Sequence, residues 1–521
     1  MSASREKKTR QEKDPSILDP KTAREAAERK KQKRSDRMYA AIFIAFLLVA
    51  AIVVTWNSGI LQKRATAVTI NGQKYTATEV NYYYSSVYNQ FLSNYGSYAS
   101  MFGLDTSKSL KTQDCAMLED GGTWFDYFLQ QAEEQMVTAA ALYDAAQEDG
   151  FTVDDLDQQI QDNLDSLDAS VESLNSSNGT NYDRADYLQM MYGKYMTEDI
   201  YKELLTQSLV ASYYAQAYQD ETEASYTDQQ ISDAYEADRN SYDLVDYEQI
   251  LVSGVAESTT DEDGNTVEPT DEENKAAMAE SKTIADELYA KYEAGEGLEA
   301  LADTEDKASY SNTEGTTYSG DDLTTWLFDE ARQDGDSTVI EVDGTGTYIL
   351  VFHDRYRNDY DVANVRHILI QPESTELSED DEGYDADVQA KKDAAKAKAE
   401  DILAQWKAGA ATEDSFIELV KEYSQDTGSV EDGGLIPDIS QDSSLVTEFK
   451  DWSLDPSRKV GDTGIVESSY GYHIMYFSSF GDPYWMVQVR QNLLTQDVND
   501  WHAEKTEGYE ATEGFGIRFV G

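Results

Sequence analysis

Trp452–Phe477 reads WSLDPSRKVGDTGIVESSYGYHIMYF, and Trp326–Phe352 reads WLFDEARQDGDSTVIEVDGTGTYILVF. Laid over each other from the tryptophan, the two stretches run without a gap as far as Asp336 and Asp462. Five identities recur at the same spacing: Trp326/Trp452, Asp329/Asp455, Arg332/Arg458, Gly335/Gly461 and Asp336/Asp462. Farther on, Gly346-Thr-Tyr-Ile-Leu-Val-Phe352 lies over Gly471-Tyr-His-Ile-Met-Tyr-Phe477. Working outward, Tyr247-Glu-Gln-Ile-Leu-Val252 lies over Val365-Arg-His-Ile-Leu-Ile370, and each is followed by a Lys/Ala-rich helical pattern, at 274–294 and 388–408. Ordered matching of three segments indicates two copies of one module of roughly 110 residues. Each is expected to run strand, helix, helix, helix and closing strands.

The copies differ in chemistry. The chain has four histidines, at 353, 367, 473 and 502. His367 and His473 occupy strand positions of the second copy that hold Gln249 and Tyr348 in the first.

Ahead of the repeat, Ala67–Tyr75 reads as two short strands around the Asn71-Gly72 turn. Thr76 and Glu79 form a capping box that opens an aromatic-rich helix. Thr123–Gly150 reads as a long amphipathic helix, and Asp154–Leu167 and Tyr182–Gln219 read as helical, with turns at 173–180 and at Gly193. Residues 65–240 are therefore expected to form a mainly helical domain. Its Tyr, Leu and Met stripes are core positions, with a groove for unfolded chains as the competing reading.

Met38–Trp56 (MYAAIFIAFLLVAAIVVTW) is 19 residues long and uncharged, a length that spans about 30 Å of hydrocarbon. The basic stretch before it predicts that residues 1–37 stay in the cytoplasm and that everything after Trp56 lies outside, as a single-pass protein of the cell membrane. A cleaved signal sequence is the competing reading. Residues 1–37 carry 13 Lys/Arg against 7 Asp/Glu, whereas the rest of the chain carries 29 against 94. So acidic an ectodomain repels nucleic acid and anionic headgroups. The acidic stretches Glu257–Glu273 and Glu373–Asp387 read as solvated loops. The single cysteine, Cys115, forms no internal disulfide. The scattered histidines give no metal-ligand spacing, and no phosphate-binding or dinucleotide fingerprint is present, so no metal or cofactor is expected.

Residues 361–479 resemble the parvulin family. Arg366-His-Ile-Leu-Ile370 is similar to its opening strand, Ala399-Glu-Asp-Ile-Leu403 and Phe416–Ser424 to its first two helices, and Gly433-Gly434-Leu435 to its glycine-rich turn. Asp426 stands where the family carries Cys or Asp, and Val460-Gly-Asp462 with Gly471-Tyr-His-Ile474 resembles the closing strands. The chain departs from the pattern around Leu435, where the family usually has an acidic residue before the Leu and a Gly after it. Here those positions are Gly434 and Ile436, and Pro437 comes next.

The resemblance implies a peptidyl-prolyl cis-trans isomerase with His367, Asp426 and His473 as catalytic polar groups. Leu435, Phe449 and Leu454 would form the substrate pocket. The larger layout resembles foldases of the PrsA and SurA type. The implied fold is α+β: a transmembrane helix, a SurA-like helical chaperone domain (65–240), a degenerate parvulin-like module (241–356), an isomerase module (361–479) and a C-terminal segment (480–521). That last segment would return to the chaperone domain as a helix over Trp485–Glu507 and a strand, Gly516–Val520, beside Ala67–Ile70. Implied partners are unfolded or proline-containing exported polypeptides. The alternative is a non-catalytic holdase with both modules as scaffolds. A homodimer through the helical domain is one arrangement the sequence allows.

Overall fold

The computed structural model describes residues 31, 38, 41–50, 59–260 and 266–521. Much of the expected membrane segment lies outside the described residues; its described residues, 38 and 41–50, are helical. No helix among the described residues is long and apolar enough to cross a membrane. The chain divides into two compact units, one formed by the chain up to Glu221 with Val498–Gly521, the other by Thr222–Asp497.

In the first unit a short helix, Ile60–Arg64, leads into a hairpin, β1 (Thr66–Ile70) and β2 (Gln73–Thr76). Asn71 and Gly72 both take positive φ (46° and 81°), the pairing that twists a two-residue hairpin correctly. Thr76 then starts helix α1 (Ala77–Tyr95), its backbone N–H donating to Glu79 Oε2 at 2.6 Å. Thr123 caps α2 (Trp124–Glu148) in the same way through Asp126. Of the next two helical patterns, the first ends elsewhere than expected and the second breaks at the expected Gly193 turn. The helix α3 (Leu156–Asn178) runs through the Ser/Asn stretch to stop at Gly179, because Ser and Asn only weakly disfavour helix. The 182–219 pattern splits into α4 (Arg184–Tyr192) and α5 (Glu198–Ser225), broken by Gly193 at φ 99°. Phe91, Trp124 and Phe128 centre the core.

The chain's end does return to this unit. Ala511–Glu513 pairs antiparallel with β1, Ile70 facing Ala511 and Val68 facing Glu513. The expected strand at Gly516–Val520 is instead largely a 3₁₀ turn, Phe515–Phe519. The backbone at Gly516 lies against Ala65–Ala67 so closely that a Cβ there would stand 2.6 Å from Ala65 O, so the turn needs glycine at this point. The helix before it, Tyr484–Thr506, lays Trp501 flat on Tyr218 at 4.3 Å.

The second unit contains two four-stranded antiparallel sheets of identical order. The first is built from β3 (Asp243–Ser253), α6 (Asp271–Glu293), α7 (Leu298–Ala302), β4 (Ala308–Thr316), α8 (Asp322–Leu327), β5 (Ser337–Val342) and β6 (Gly346–Arg357). The second repeats it with β7 (Asp361–Ile370), α9 (Tyr384–Ala408), α10 (Glu413–Tyr423), β8 (Leu435–Ile439), α11 (Thr447–Ser453), β9 (Thr463–Ser468) and β10 (Gly471–Pro483). The orders are β4-β3-β6-β5 and β8-β7-β10-β9. Each module thus carries a strand, β4 or β8, that the repeat pattern did not announce. In β8 the preceding glycines and Pro437 mask it; an edge strand tolerates proline because one side of its ladder is unpaired.

The matching residues have matching work. Arg332 lies over Trp326 at 4.5 Å and Arg458 over Trp452 at 4.2 Å. The Gly-Asp pair is clamped to the last strand: Gly335 N–H donates to Phe352 O and Gly461 N–H to Phe477 O, both at 2.9 Å. Strand alternation then sorts the side chains. Ile368, Ile370, Tyr472 and Ile474 face α9 and α10, while Val365, Met475 and Phe477 face α11. His367 and His473 share the parity of the second set.

Candidate active site

Register decides how the two histidines meet. His473 stands opposite Leu369 and His367 opposite Met475, so the rings are diagonal neighbours on one face of the sheet. They stack at 5.3 Å between centroids with an interplanar angle of 26°. Phe449, from α11, stands edge-on to both, at 5.2 and 5.3 Å. All three are nearly inaccessible, with relative exposures of 5 % for His367, 6 % for His473 and 2 % for Phe449.

The third polar group arrives on a loop. After α10 the chain leaves the sheet from Ser424 to Gly434 and is pinned at both ends of the excursion. Gln425 N–H donates to Leu369 O and His367 N–H donates to Gly434 O, both at 2.9 Å. Gly434 takes φ 73°, and a Cβ on it would meet His367 O at 2.4 Å. Only glycine fits a left-handed backbone so near the strand that carries a site residue. The loop delivers Asp426, whose Oδ2 lies 2.8 Å from His367 Nε2. It also delivers Ser429, which donates to the same oxygen at 2.5 Å and lies 3.2 Å from His367 Nε2.

One proton assignment satisfies every group. Ser468 O–H donates to His473 Nε2 (2.8 Å), His473 Nδ1–H donates to His367 Nδ1 (3.1 Å), and His367 Nε2–H donates to the Asp426 carboxylate. The electrostatics agree with it. Burial pushes the His367 imidazolium down despite the opposing pull of Asp426. Burial, helped by neighbouring His367, lowers His473 to about 4. Burial would raise Asp426, but hydrogen bonds from Ser429 and His367 outweigh it and hold the carboxyl below its ordinary value. Two neutral rings and one carboxylate result. All four ring nitrogens are engaged, so neither ring stands free as a general base.

These groups line a cavity of about 450 Å³ with Leu369, Ile436, Ser444, Leu445, Val446, Phe449 and Tyr470. Of the residues expected for the pocket, Phe449 is in this lining; Leu435 and Leu454 are not. Register explains Leu435: it pairs with Arg366 and so shares the parity of the opposite face, whereas Ile436 pairs with Val365 and turns inward. Leu454 follows α11 and packs in the apolar cluster with Val365, Phe449 and Phe477. Ser429, Ser468, Ile436, Leu445, Val446 and Tyr470 escaped the sequence reading. Alternation from the histidines could have found Ile436 only once β8 was known to be a strand.

Among the described residues no group of His, Cys, Asp or Glu is placed to hold a metal ion. The arrangement suits a reaction without covalent change. Rotation about an X-Pro bond meets a barrier of about 20 kcal/mol, because the planar amide must lose its resonance. A dry, apolar pocket with fixed dipoles favours the less polar, twisted amide over the planar one.

Residues 348–478 match the family model of the PPIC-type PPIase domain, and residues 29–215 match that of the SurA-like N-terminal domain. The chain therefore carries a parvulin domain behind a SurA-like one. Over 109 residues it is 31 % identical to the foldase protein PrsA of Latilactobacillus sakei subsp. sakei (strain 23K), covering 21 % of this chain and 36 % of that protein's length. Among solved structures, PrsA from Bacillus subtilis matches 77 % of this chain and 91 % of its own at 13 % identity and a TM-score of 0.29. PrsA from Streptococcus pneumoniae str. Canada MDR_19A matches 73 % and 83 % at 13 % identity and a TM-score of 0.22.

Proposed function

We propose that this chain, with its parvulin and SurA-like domains, is an extracytoplasmic foldase tethered through Met38–Trp56. Its 361–479 module catalyses prolyl cis-trans isomerisation in exported polypeptides, and its helical domain holds them unfolded. The observation that carries this reading is the Ser468–His473–His367–Asp426 hydrogen-bond chain, its two rings buried, opening on the 450 Å³ cavity. His367, Asp426 and His473 are the catalytic polar groups. Phe449 forms the pocket floor, with Ile436, Leu445 and Val446 as its apolar wall. Leu435 and Leu454 then act through the fold around the pocket.

The relation to the L. sakei foldase suggests the class of substrate, although this chain spans 36 % of that protein's length. The length and flanks of Met38–Trp56 support the tether. The test is the rate of cis-trans exchange of a proline peptide with the full-length chain. Acceleration that His367→Ala and Asp426→Ala abolish, with folding retained, supports the reading; a rate equal to buffer refutes it.

A holdase without catalysis is the second reading. One observation favours it: the 241–356 module keeps the sheet order and clamps of the other while holding Gln249 and Tyr348 at the histidine positions. Its signature would be suppression of client aggregation unchanged by the same substitutions.

A further inference from the structure

We infer that the outer edge of β4 accepts an extended stretch of another polypeptide, neutral or basic, as a fifth strand of the first sheet. The two modules end their sheets differently on this side. β8 is five residues long, contains Pro437, takes a positive φ of 48° at Asp438 and shifts register between Ile436 and Ile439. Each of those features blunts an edge against further pairing. β4 is nine residues long and holds no proline, lysine or arginine. It keeps unbroken register with β3 from Ala308, opposite Val252, to Thr313, opposite Tyr247.

β4 stands at the end of the strand order, and among the described residues the backbone of Ser309–Thr316 hydrogen-bonds only to β3. Its alternate N–H and C=O groups therefore face outward at strand spacing, and what matches such a row is another extended backbone. Ser309, Ser311 and Thr313 share one face, opposite Leu251, Gln249 and Tyr247, and their side chains are too short to fold over that edge. Charge chooses between occupants. Glu314 is exposed on the strand, Asp303 and Asp306 are exposed at its entry, and Lys307 Nζ is held by Glu280 at 2.8 Å. A second copy of this chain, with a net charge of -59, brings like charge to that edge. A segment carrying lysine or arginine brings the opposite. Strand addition does not depend on isomerisation, and it gives the module without the histidine pair a binding role of its own.

The test uses the full-length chain and the fluorescent peptide Lys-Thr-Val-Thr-Val-Thr-Val-Lys, followed by anisotropy and by hydrogen exchange of β4. Saturation should slow alternate amides of Ser309–Thr313 by about tenfold while leaving β8 unchanged. Replacing the peptide's lysines by glutamates should weaken binding by about fivefold at low salt and less at high salt. Adjacent amides point alternately to β3 and outward, so one of Ser311→Pro and Asn312→Pro removes an outward N–H and leaves the ladder whole. The variant that keeps its fold should bind about tenfold more weakly; should neither fold, the exchange pattern decides alone. No binding, binding that leaves β4 exchange unchanged, or undiminished binding by the folded variant overturns the inference. A glutamate peptide bound as tightly overturns the choice of a neutral or basic partner. Protection of β4 that rises with chain concentration in the absence of peptide makes a second copy the occupant, and overturns it too.

Discussion

The 241–356 and 361–479 modules share strand order, register and the Trp–Arg and Gly–Asp clamps, yet among the described residues only the second brings two buried histidines and a carboxylate together. In the first, Tyr348 stands opposite Leu251, the register that His473 and Leu369 keep in the second. The edge strand is where they part. β4 runs along β3 through Ala308, Ser309, Tyr310 and Ser311, the last facing Gln249. β8 begins its pairing only at Arg366, and the chain before it swings out as the loop that carries Asp426 and Ser429. The modules therefore differ by more than two side chains, because in the first a strand occupies the place where the second opens its loop. Gln249 Oε1 is left buried without a hydrogen-bond partner. A polar constellation of this kind needs an interruption in the ladder as well as the right side chains.

The largest expected effect comes from giving the second module the residues of the first. His367→Gln with His473→Tyr should lower prolyl isomerisation by on the order of 10²-fold, measured as peptide exchange, with the circular dichroism spectrum kept. Retained activity would break the comparison at its centre.

Next is the turn. Gly434→Ala places a methyl group against His367 O in a left-handed backbone and should destabilise the second unit by about 2–4 kcal/mol. Gly344→Ala in the first module has the same φ of 73° and open space around it, so about 1 kcal/mol is expected. Denaturant melts of the two variants separate close approach from backbone conformation alone.

A smaller effect is pH dependence confined to the second module. His473 is lowered to about 4 in the fold, so the unfolded chain binds more protons between that value and the ordinary imidazole range. Stability from the neutral ring is complete above about pH 6.5 and is lost as pH falls toward 4. Hydrogen exchange of β7 and β10 should accelerate over that window, whereas β3 and β6, with Gln249 and Tyr348 at these positions, should not share the transition. Equal acceleration in both modules would place the cause elsewhere.

The smallest effects test what the modules share. Arg332→Ala and Arg458→Ala each remove a guanidinium from a Trp face and should each cost roughly 0.5–1 kcal/mol. A twofold difference in ΔΔG between them would show that the clamps are not equivalent.

Much of this was legible in the chain. The repeat, the hairpin at Asn71-Gly72, the capping box at Thr76 and the unequal histidines are local signals, set by spacing and by single-residue conformational preference. The site's outline was legible as well, since motif positions single out His367, Asp426 and His473. Its lining was not. Leu435 and Ile436 are equally apolar neighbours in sequence, and only the pairing of β8 with β7 chooses which faces the cavity. Ser429 and Ser468 carry no pattern at all until the loop and the hairpin place their hydroxyls on the two ends of one hydrogen-bond chain.

The sequence by itself determined that there are two related modules, where their principal helices and closing strands lie, and which copy holds the imidazole pair. These are consequences of periodicity and composition, which act over a few residues. The tertiary structure alone decided that the edge strand opens in one copy and closes in the other. It also decided that both rings are buried and neutral, and that Ala511–Glu513 is the segment that completes the first sheet. Those outcomes depend on long-range register and desolvation, which are properties of what the fold brings together.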